Sequence, residues 1–311
     1  SITFTDAAAA YIASKEVEWT NAKHGDQWRN TLATYAEPLI GSVFVRELDQ
    51  SHIVRVLEPI WNTKTETATR VRGRIEKILD WAKVAGYRSG ENPARWQGHL
   101  SELLPSPNKI QNIEHHAALP FIELGAFMVN LRQQEGMGAK ALEFAILTAA
   151  RSGEVRGATW AEVDLKAATW TIPAARMKIK TNGDHRVPLN AEAIALLNAM
   201  PENGELVFPN TKGTMLSDMT LTAVLRRMNR GDITAHGFRS TFRDWVSERT
   251  NYPRDVAEMA LAHGIEDQTE AAYRRGDLFQ KRILMMRDWG KFSSRVHTDA
   301  KVTPIKAKAI A

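Results

Sequence analysis

The chain has no cysteine. That excludes disulfide staples, thiolate metal sites and a cysteine nucleophile together, and it fits a cytoplasmic protein. No apolar run reaches the length of about 18 residues that a membrane-spanning helix needs. The opening stretch Ser1–Ala10 lacks the positively charged start of a secretory signal. There is no internal repeat and no low-complexity tract.

What is present is ordinary in amount and suggestive in order. At 311 residues the chain suits two domains better than a single core. A hydrophobic fraction of 43% with 25% charged residues is usual for a globular protein. Lysine and arginine total 41 against 36 aspartates and glutamates, a net charge of +5 and a pI near 9.4. That balance favours an anionic partner, of which nucleic acid is the commonest, although many basic proteins bind none.

The first hundred residues read as helical. Asp6 is a plausible N-cap before an Ala-rich segment running to about Trp19. Trp28, Leu32 and Tyr35 recur at helical spacing from about Asp26 onward. The clearest helix runs from about Thr67 to Ala85, with an apolar stripe of Val71, Ile75, Ile78, Leu79 and Ala82. Beside that stripe Arg70, Arg74 and Lys77 form a basic ridge, a pattern that a solvated helix face carries equally well. Pro105, Pro107 and Pro120 mark a linker between Leu103 and Pro120. The run Ala139–Ala150 is almost wholly apolar and is expected deep in a second core. Short strands are expected near Val163 and over Thr169–Pro173, then helices from Asn190–Met200 to the end. Asn182-Gly183 is a preferred two-residue hairpin turn, so Arg176–Thr181 is expected to pair with Asp184–Leu189, with Lys180 opposite His185. Lys178 and Lys180 then point to one face. The fold class expected is mainly α with a small antiparallel sheet.

Four short segments carry chemistry, each weakly when taken alone. Arg151 and Glu154 in Ala150–Glu154 share one helical turn, as many surface ion pairs do. His236-Gly237-Phe238-Arg239 opens a helix whose buried stripe is Phe238, Phe242, Trp245 and Val246. A histidine and an arginine at a helix N-terminus suit a phosphate. The other two are Leu261-Ala262-His263 and Ala271-Ala272-Tyr273-Arg274-Arg275.

Taken in order, Arg151, the lysine hairpin, His236-x-x-Arg239, His263 and Tyr273 resemble the catalytic domain of the tyrosine recombinases, or phage integrases. The segments from Met177-Lys178 to Leu189, Ala271–Arg275 and Met286–Trp289 are most similar to integrases of prophages and genomic islands, the P4-type group. The resemblance covers essentially the whole chain. It implies a helical (SAM-like) core-type DNA-binding domain over 1–104, a linker over 105–120 and a catalytic domain over 121–311. The subgroup's small N-terminal domain for arm-type sites has no counterpart, and residue 1 is Ser, so the resemblance implies that the chain begins inside a longer protein.

The same resemblance implies the chemistry. Tyr273 attacks a phosphodiester and releases a 5′-hydroxyl, leaving a 3′-phosphotyrosyl bond that a second 5′-hydroxyl reverses, with no cofactor and no metal. Arg151 and Arg239 are the expected clamp on the non-bridging oxygens. Lys178 is preferred over Lys180 as general acid, the choice staying open because the turn is longer than usual. His236 either hydrogen-bonds the phosphate or helps remove the tyrosine proton, His263 donates to a phosphate oxygen, and Glu154 positions the arginines. Lys23, Lys64, Arg70, Arg74 and Lys77 would contact DNA phosphates. The partners implied are double-stranded attachment-core DNA, a homotetramer on paired sites, an excisionase and a DNA-bending host factor, in a bacterial or phage-encoded, nucleoid-associated protein without a membrane. The region Lys281–Trp289 and the tail beyond it either dock on a neighbouring subunit or pack on their own domain. The rivals are a type IB topoisomerase, a non-catalytic DNA-binding regulator, and a metallohydrolase built on His115-His116, whose adjacent histidines cannot easily share one metal.

Overall fold

The computed structural model describes residues 1–19, 22–110, 117–177, 183–263 and 276–297. Lys178, Lys180, Tyr273, the turn residue Asn182, His115, His116 and the tail after residue 297 lie outside the described residues, as does the side chain of Lys23. The chain divides into two compact units, residues 1–113 and 114–311.

The first unit is helical: α1 Phe4–Lys15, α2 Ala22–Tyr35, α3 Glu37–Ile40, α4 Gln50–Trp61, α5 Thr65–Val84 and α6 Pro107–Ile110. The N-cap of α1 is Thr3, whose hydroxyl oxygen accepts from the Asp6 N–H at 3.3 Å, so Asp6 sits in the first turn and not at the cap. There its carboxylate favours the positive helix end and accepts a hydrogen bond from the Thr3 hydroxyl. The periodicity of α5 is realised as expected, with Val71, Ile75, Ile78, Leu79 and Ala82 all buried. They pack on α1, α2 and α4 around Leu32, Ile53 and Leu57.

The second unit is mainly helical around a three-stranded antiparallel sheet. Its helices among the described residues are α7 Leu124–Arg132, α8 Met137–Thr148, α9 Ser152–Arg156, α10 Ala191–Asn198, α11 Thr220–Arg227, α12 Gly237–Arg249, α13 Arg254–Ala260 and α14 Phe279–Ser293. The strands β1 Val163–Asp164, β2 Thr169–Ile172 and β3 His185–Pro188 lie in the order β1-β2-β3. Nearly every side chain of α8 is buried, and the helix packs against α7, α9, α10, α11 and α14. Its one acidic residue, Glu143, is neutralised by Arg132 at 2.6 Å. Asn190 joins three helices: it caps α10, and its amide donates to the Leu147 carbonyl at 2.8 Å and the Met286 carbonyl at 3.2 Å.

The hairpin differs from the expectation. β3 pairs with β2, His185 lying opposite Ile172 and Val187 opposite Trp170. Pro173 ends β2, Ala174–Arg176 turns as a 3-10 helix, and the Asp184 carboxylate accepts from the Ala174 N–H at 3.0 Å. That bond ties the residue before β3 to the residues that follow β2. Arg176 and Met177 are not part of a strand, and residues 178–182 of the expected turn lie outside the described residues.

Candidate active site

Glycine and a crossing segment shape one wall of the site. A Cβ on Gly237 would fall 2.2 Å from the Ala117 carbonyl oxygen, so only glycine lets residues 117–118 lie against the start of α12. Beside this contact is a cavity of about 560 Å³ lined by Ala117, Ala118, His236, Arg239, Ser240, Arg243, Asp244, Leu261 and His263. His236 occupies the N-cap position of α12 and Arg239 its first turn, as the helix-start pattern predicts.

The arginines are held by the ends of two other helices. A helix leaves its last carbonyls without intrahelical partners and carries partial negative charge there. At the end of α8 the Ala149 carbonyl accepts from Arg239 Nη1 at 2.6 Å. At the end of α13 three successive carbonyls serve three different side chains. His185 hydrogen-bonds Ala260, Arg239 Nη2 donates to Leu261 at 2.5 Å, and Arg151 Nη2 donates to Ala262 at 3.0 Å. Ala149 and Ala262 both adopt left-handed backbone, with φ of 52° and 47°. Glycine is the usual residue at such helix ends, and alanine there costs about 1 kcal/mol. That conformation turns the chain at each helix end where a carbonyl meets an arginine.

Charge compensation is partial by design of the fold. Glu154, buried, accepts from Arg151 Nη1 and from the Arg151 backbone N–H, both at 2.9 Å. Burial, then the nearby Arg151, lowers the Arg239 pKa to about 10, which leaves it fully charged at neutral pH. Its Nε–H has no acceptor among the described residues. His263 lies with Nε2 3.2 Å from Arg239 Nη2 and Nδ1 2.6 Å from Glu258. His185 is pushed down to about 4 by burial, then by Arg282, with Arg151 and Arg239 adding to the shift against the Ala260 bond. A set of fixed cations beside an open pocket, with a histidine held neutral among them, is suited to receive an anion.

The chain returning from the Tyr273 segment is anchored next to this set. Asp277 receives Arg186 of β3 through two nitrogens, at 2.8–3.0 Å, and Arg282 of α14 at 2.9 Å. Arg282 is fully buried and also donates to the Arg186 carbonyl at 2.7 Å. The helix α14 packs on its own unit through Met285, Met286 and Trp289, leaving Ile283 and Leu284 exposed.

The structure thus brings Arg151, Glu154, His236, Arg239 and His263 together. Sequence reasoning missed Glu258, Arg243 and His185. Glu258 stands five residues before His263 across a helix end and gives no spacing signal. His185 was expected opposite Lys180, which lies outside the described residues, and in the sheet it lies opposite Ile172. In the first unit the basic ridge is interrupted. Arg74 donates to the Gln27 carbonyl at 2.7 Å and lies over the Trp28 ring, 5.4 Å from its centroid, so it serves the core. Arg70 pairs with Glu66, Lys64 stands 5.5 Å from the Tyr35 ring centroid, and Lys77 is exposed.

Comparison with known proteins agrees on both halves of the chain. A family model described as phage integrase central domain matches residues 4–99, and one described as phage integrase family matches residues 122–277. The prophage integrase IntA of Escherichia coli (strain K12) is 31% identical, over 92% of this chain and 69% of that protein. The integrase of Enterobacteria phage P4 is 28% identical, over 88% of this chain and 67% of that one. Among solved structures, a lambda integrase tetramer bound to a Holliday junction shares the fold, with a TM-score of 0.66 at 14% identity, over 86% of this chain and 79% of that one.

Proposed function

Because this chain belongs to the phage integrase family and is a site-specific DNA recombinase, we propose that it cuts one strand of an attachment core through Tyr273 and rejoins it to a second duplex. The Tyr273 hydroxyl oxygen attacks phosphorus, the phosphorus–5′-oxygen bond breaks, and a 3′-phosphotyrosyl ester and a free 5′-hydroxyl result. The phenol proton passes to His236, and Lys178, with Lys180 as the alternative, protonates the departing oxygen. The reverse step with the 5′-hydroxyl of another duplex restores a phosphodiester, so the bond energy is conserved and no nucleotide is consumed.

The observation that carries this reading is the convergence of Arg151 and Arg239 on consecutive carbonyls of one helix end, beside a cavity that His236 and His263 line. A phosphodiester transition state spreads charge over its non-bridging oxygens. Two planar donors already oriented by carbonyls stabilise it with no reorganisation at the moment of reaction. Glu154 holds Arg151 in place, and His263 serves a phosphate oxygen. The helical region 1–104 contacts the DNA backbone through Lys23, Lys64, Arg70 and Lys77, with Arg74 bracing the core beneath them, while 121–311 performs the chemistry. These phosphate contacts set register and affinity and carry no sequence information. Four cleavages in two paired duplexes call for a homotetramer, with an excisionase and a DNA-bending host factor setting direction. The working environment is the nucleoid.

The test is incubation with a nicked suicide duplex carrying a core that the protein binds, in EDTA, followed by denaturing electrophoresis. A covalent protein–DNA band is expected from the wild type and none from Tyr273→Phe, which still binds the duplex. A band from Tyr273→Phe overturns the nucleophile, and no wild-type band on a bound core overturns the reaction.

A further inference from the structure

One carboxylate beside the cavity has no part in the chemistry above. Glu258 lies on α13, half-buried, and uses both oxygens: Oε2 accepts from His263 Nδ1 at 2.6 Å and Oε1 accepts from Arg243 Nε at 2.7 Å. Arg254 Nε stands 3.8 Å from the same Oε1. On the other side of the imidazole, Nε2 is 3.2 Å from Arg239 Nη2.

The tautomer of His263 follows from what its two neighbours are able to do. A guanidinium only donates, so Nε2 accepts from Arg239. An ionised carboxylate only accepts, so Nδ1 carries the proton and donates a hydrogen bond to Glu258. Burial raises the Glu258 pKa, but the bonds from His263 and Arg243 outweigh it and hold the carboxyl below its ordinary value, so it is ionised at neutral pH. Neither contact permits the opposite tautomer. Arg243 matters too: it ties the carboxylate to α12, the helix whose first turn carries Arg239.

We propose that Glu258 is a positioning residue for strand cleavage: it fixes the His263 ring with Nδ1–H on its own carboxylate and Nε2 beside Arg239 in the anion cavity. The proposal rests on the reading of His263 as a phosphate contact. In the free protein, Nε2 helps to hold the Arg239 fork. When a phosphate oxygen takes the place of that contact, donation from Nε2 needs a second ring proton. Arg239, Arg243, Arg254 and Arg151 oppose such a charge, and Glu258 is the counter-ion in direct contact with the ring. A carboxylate on the far nitrogen of a working histidine has the same two effects in hydrolytic triads, orientation and support of the imidazolium.

Glu258→Gln is the discriminating change because it preserves size while reversing one donor. The glutamine oxygen stays on the charged Arg243 donor, and its NH₂ then faces His263 Nδ1, which has to become an acceptor. The ring is driven to the Nε2–H tautomer. Nitrogen-15 NMR of histidine-labelled full-length chain reads this directly, and needs no activity. The expected result is Nδ1–H in the wild type and Nε2–H in Glu258→Gln. On the suicide duplex the variant should cleave about 10- to 100-fold more slowly, at unchanged DNA affinity. In a His263→Ala background the same change should have no further effect. An unaltered tautomer in Glu258→Gln overturns the proposal. So does an equal rate loss with and without His263, which would place the role of Glu258 in its bond to Arg243 alone. A wild type that forms no covalent adduct instead overturns the reading of the site, and its tautomer signal tells that failure apart from failure of Glu258 to hold the ring.

Discussion

His185 makes the stability of the catalytic unit acid-sensitive by an amount that the structure sets. Its pKa is about 4 in the fold, against an ordinary value of 6.5, because burial and the cations Arg282, Arg151 and Arg239 all penalise the charged ring. The unfolded chain therefore binds a proton at this residue that the folded chain refuses. The neutral ring's contribution is fully present above pH 6.5 and is lost as the pH falls toward 4. From those two pKa values, the fold should lose about 2 kcal/mol between pH 7 and pH 5, and about 3 kcal/mol by pH 4. The assay is urea unfolding at pH 7 and pH 5 for the wild type and for His185→Gln, which cannot titrate. Groups common to both proteins cancel in the difference of differences, so the variant should lose about 2 kcal/mol less than the wild type over that interval. Its own offset in stability, from the lost bond to Ala260, is the same at both pH values. Inorganic phosphate in the cavity should narrow the gap, because an anion between Arg151 and Arg239 offsets the repulsion that depresses the ring. Equal slopes for the two proteins would refute the placement of a neutral histidine among these arginines.

Arg239→Lys keeps the charge but reaches one carbonyl where the fork reaches two, Ala149 and Leu261. It should destabilise the unit by about 1.5–3 kcal/mol and slow adduct formation by about 100- to 1,000-fold, with DNA affinity little changed. A wild-type single-turnover rate would dismiss the clamp. Gly73 lies in the middle of α5 with open space where a Cβ would stand. Gly73→Ala should raise the stability of the helical unit by about 0.5–1 kcal/mol in denaturant titration, and a lowered midpoint would contradict the free space found there.

The elements that sequence made legible are those encoded by local periodicity. The α5 stripe and the buried α8 run are written residue by residue, because each side chain's face follows from 3.6 residues per turn. The mainly helical class with a small antiparallel sheet follows from the same reading. The ordered appearance of Arg151, His236-x-x-Arg239, His263 and Tyr273 made the family recognisable before any coordinates. Asp6 was misplaced by one turn because Thr3 and Asp6 are both good cap residues, and only the backbone shows which one leaves the helix. The strand partner of Asp184–Leu189 was placed at Arg176–Thr181 instead of β2, because Asn-Gly signals a turn without saying which flanking residues form the strands.

What tertiary structure alone decided is how residues far apart in sequence meet at one helix end beside the pocket. Arg151, His185, Arg239 and His263 belong to separate elements, and no spacing rule connects them. They converge because α8 and α13 end beside one another in the packed unit, and helix ends must give their last carbonyls to some donor. Arginines and a histidine supply it. The left-handed alanines, the neutral state of His185 and the tautomer that Glu258 imposes on His263 are all consequences of that convergence. Residue types and their order along the chain were enough to name the chemistry. The protonation state and orientation of each group depend on burial and on the charge of its neighbours, and those exist only once the chain is folded.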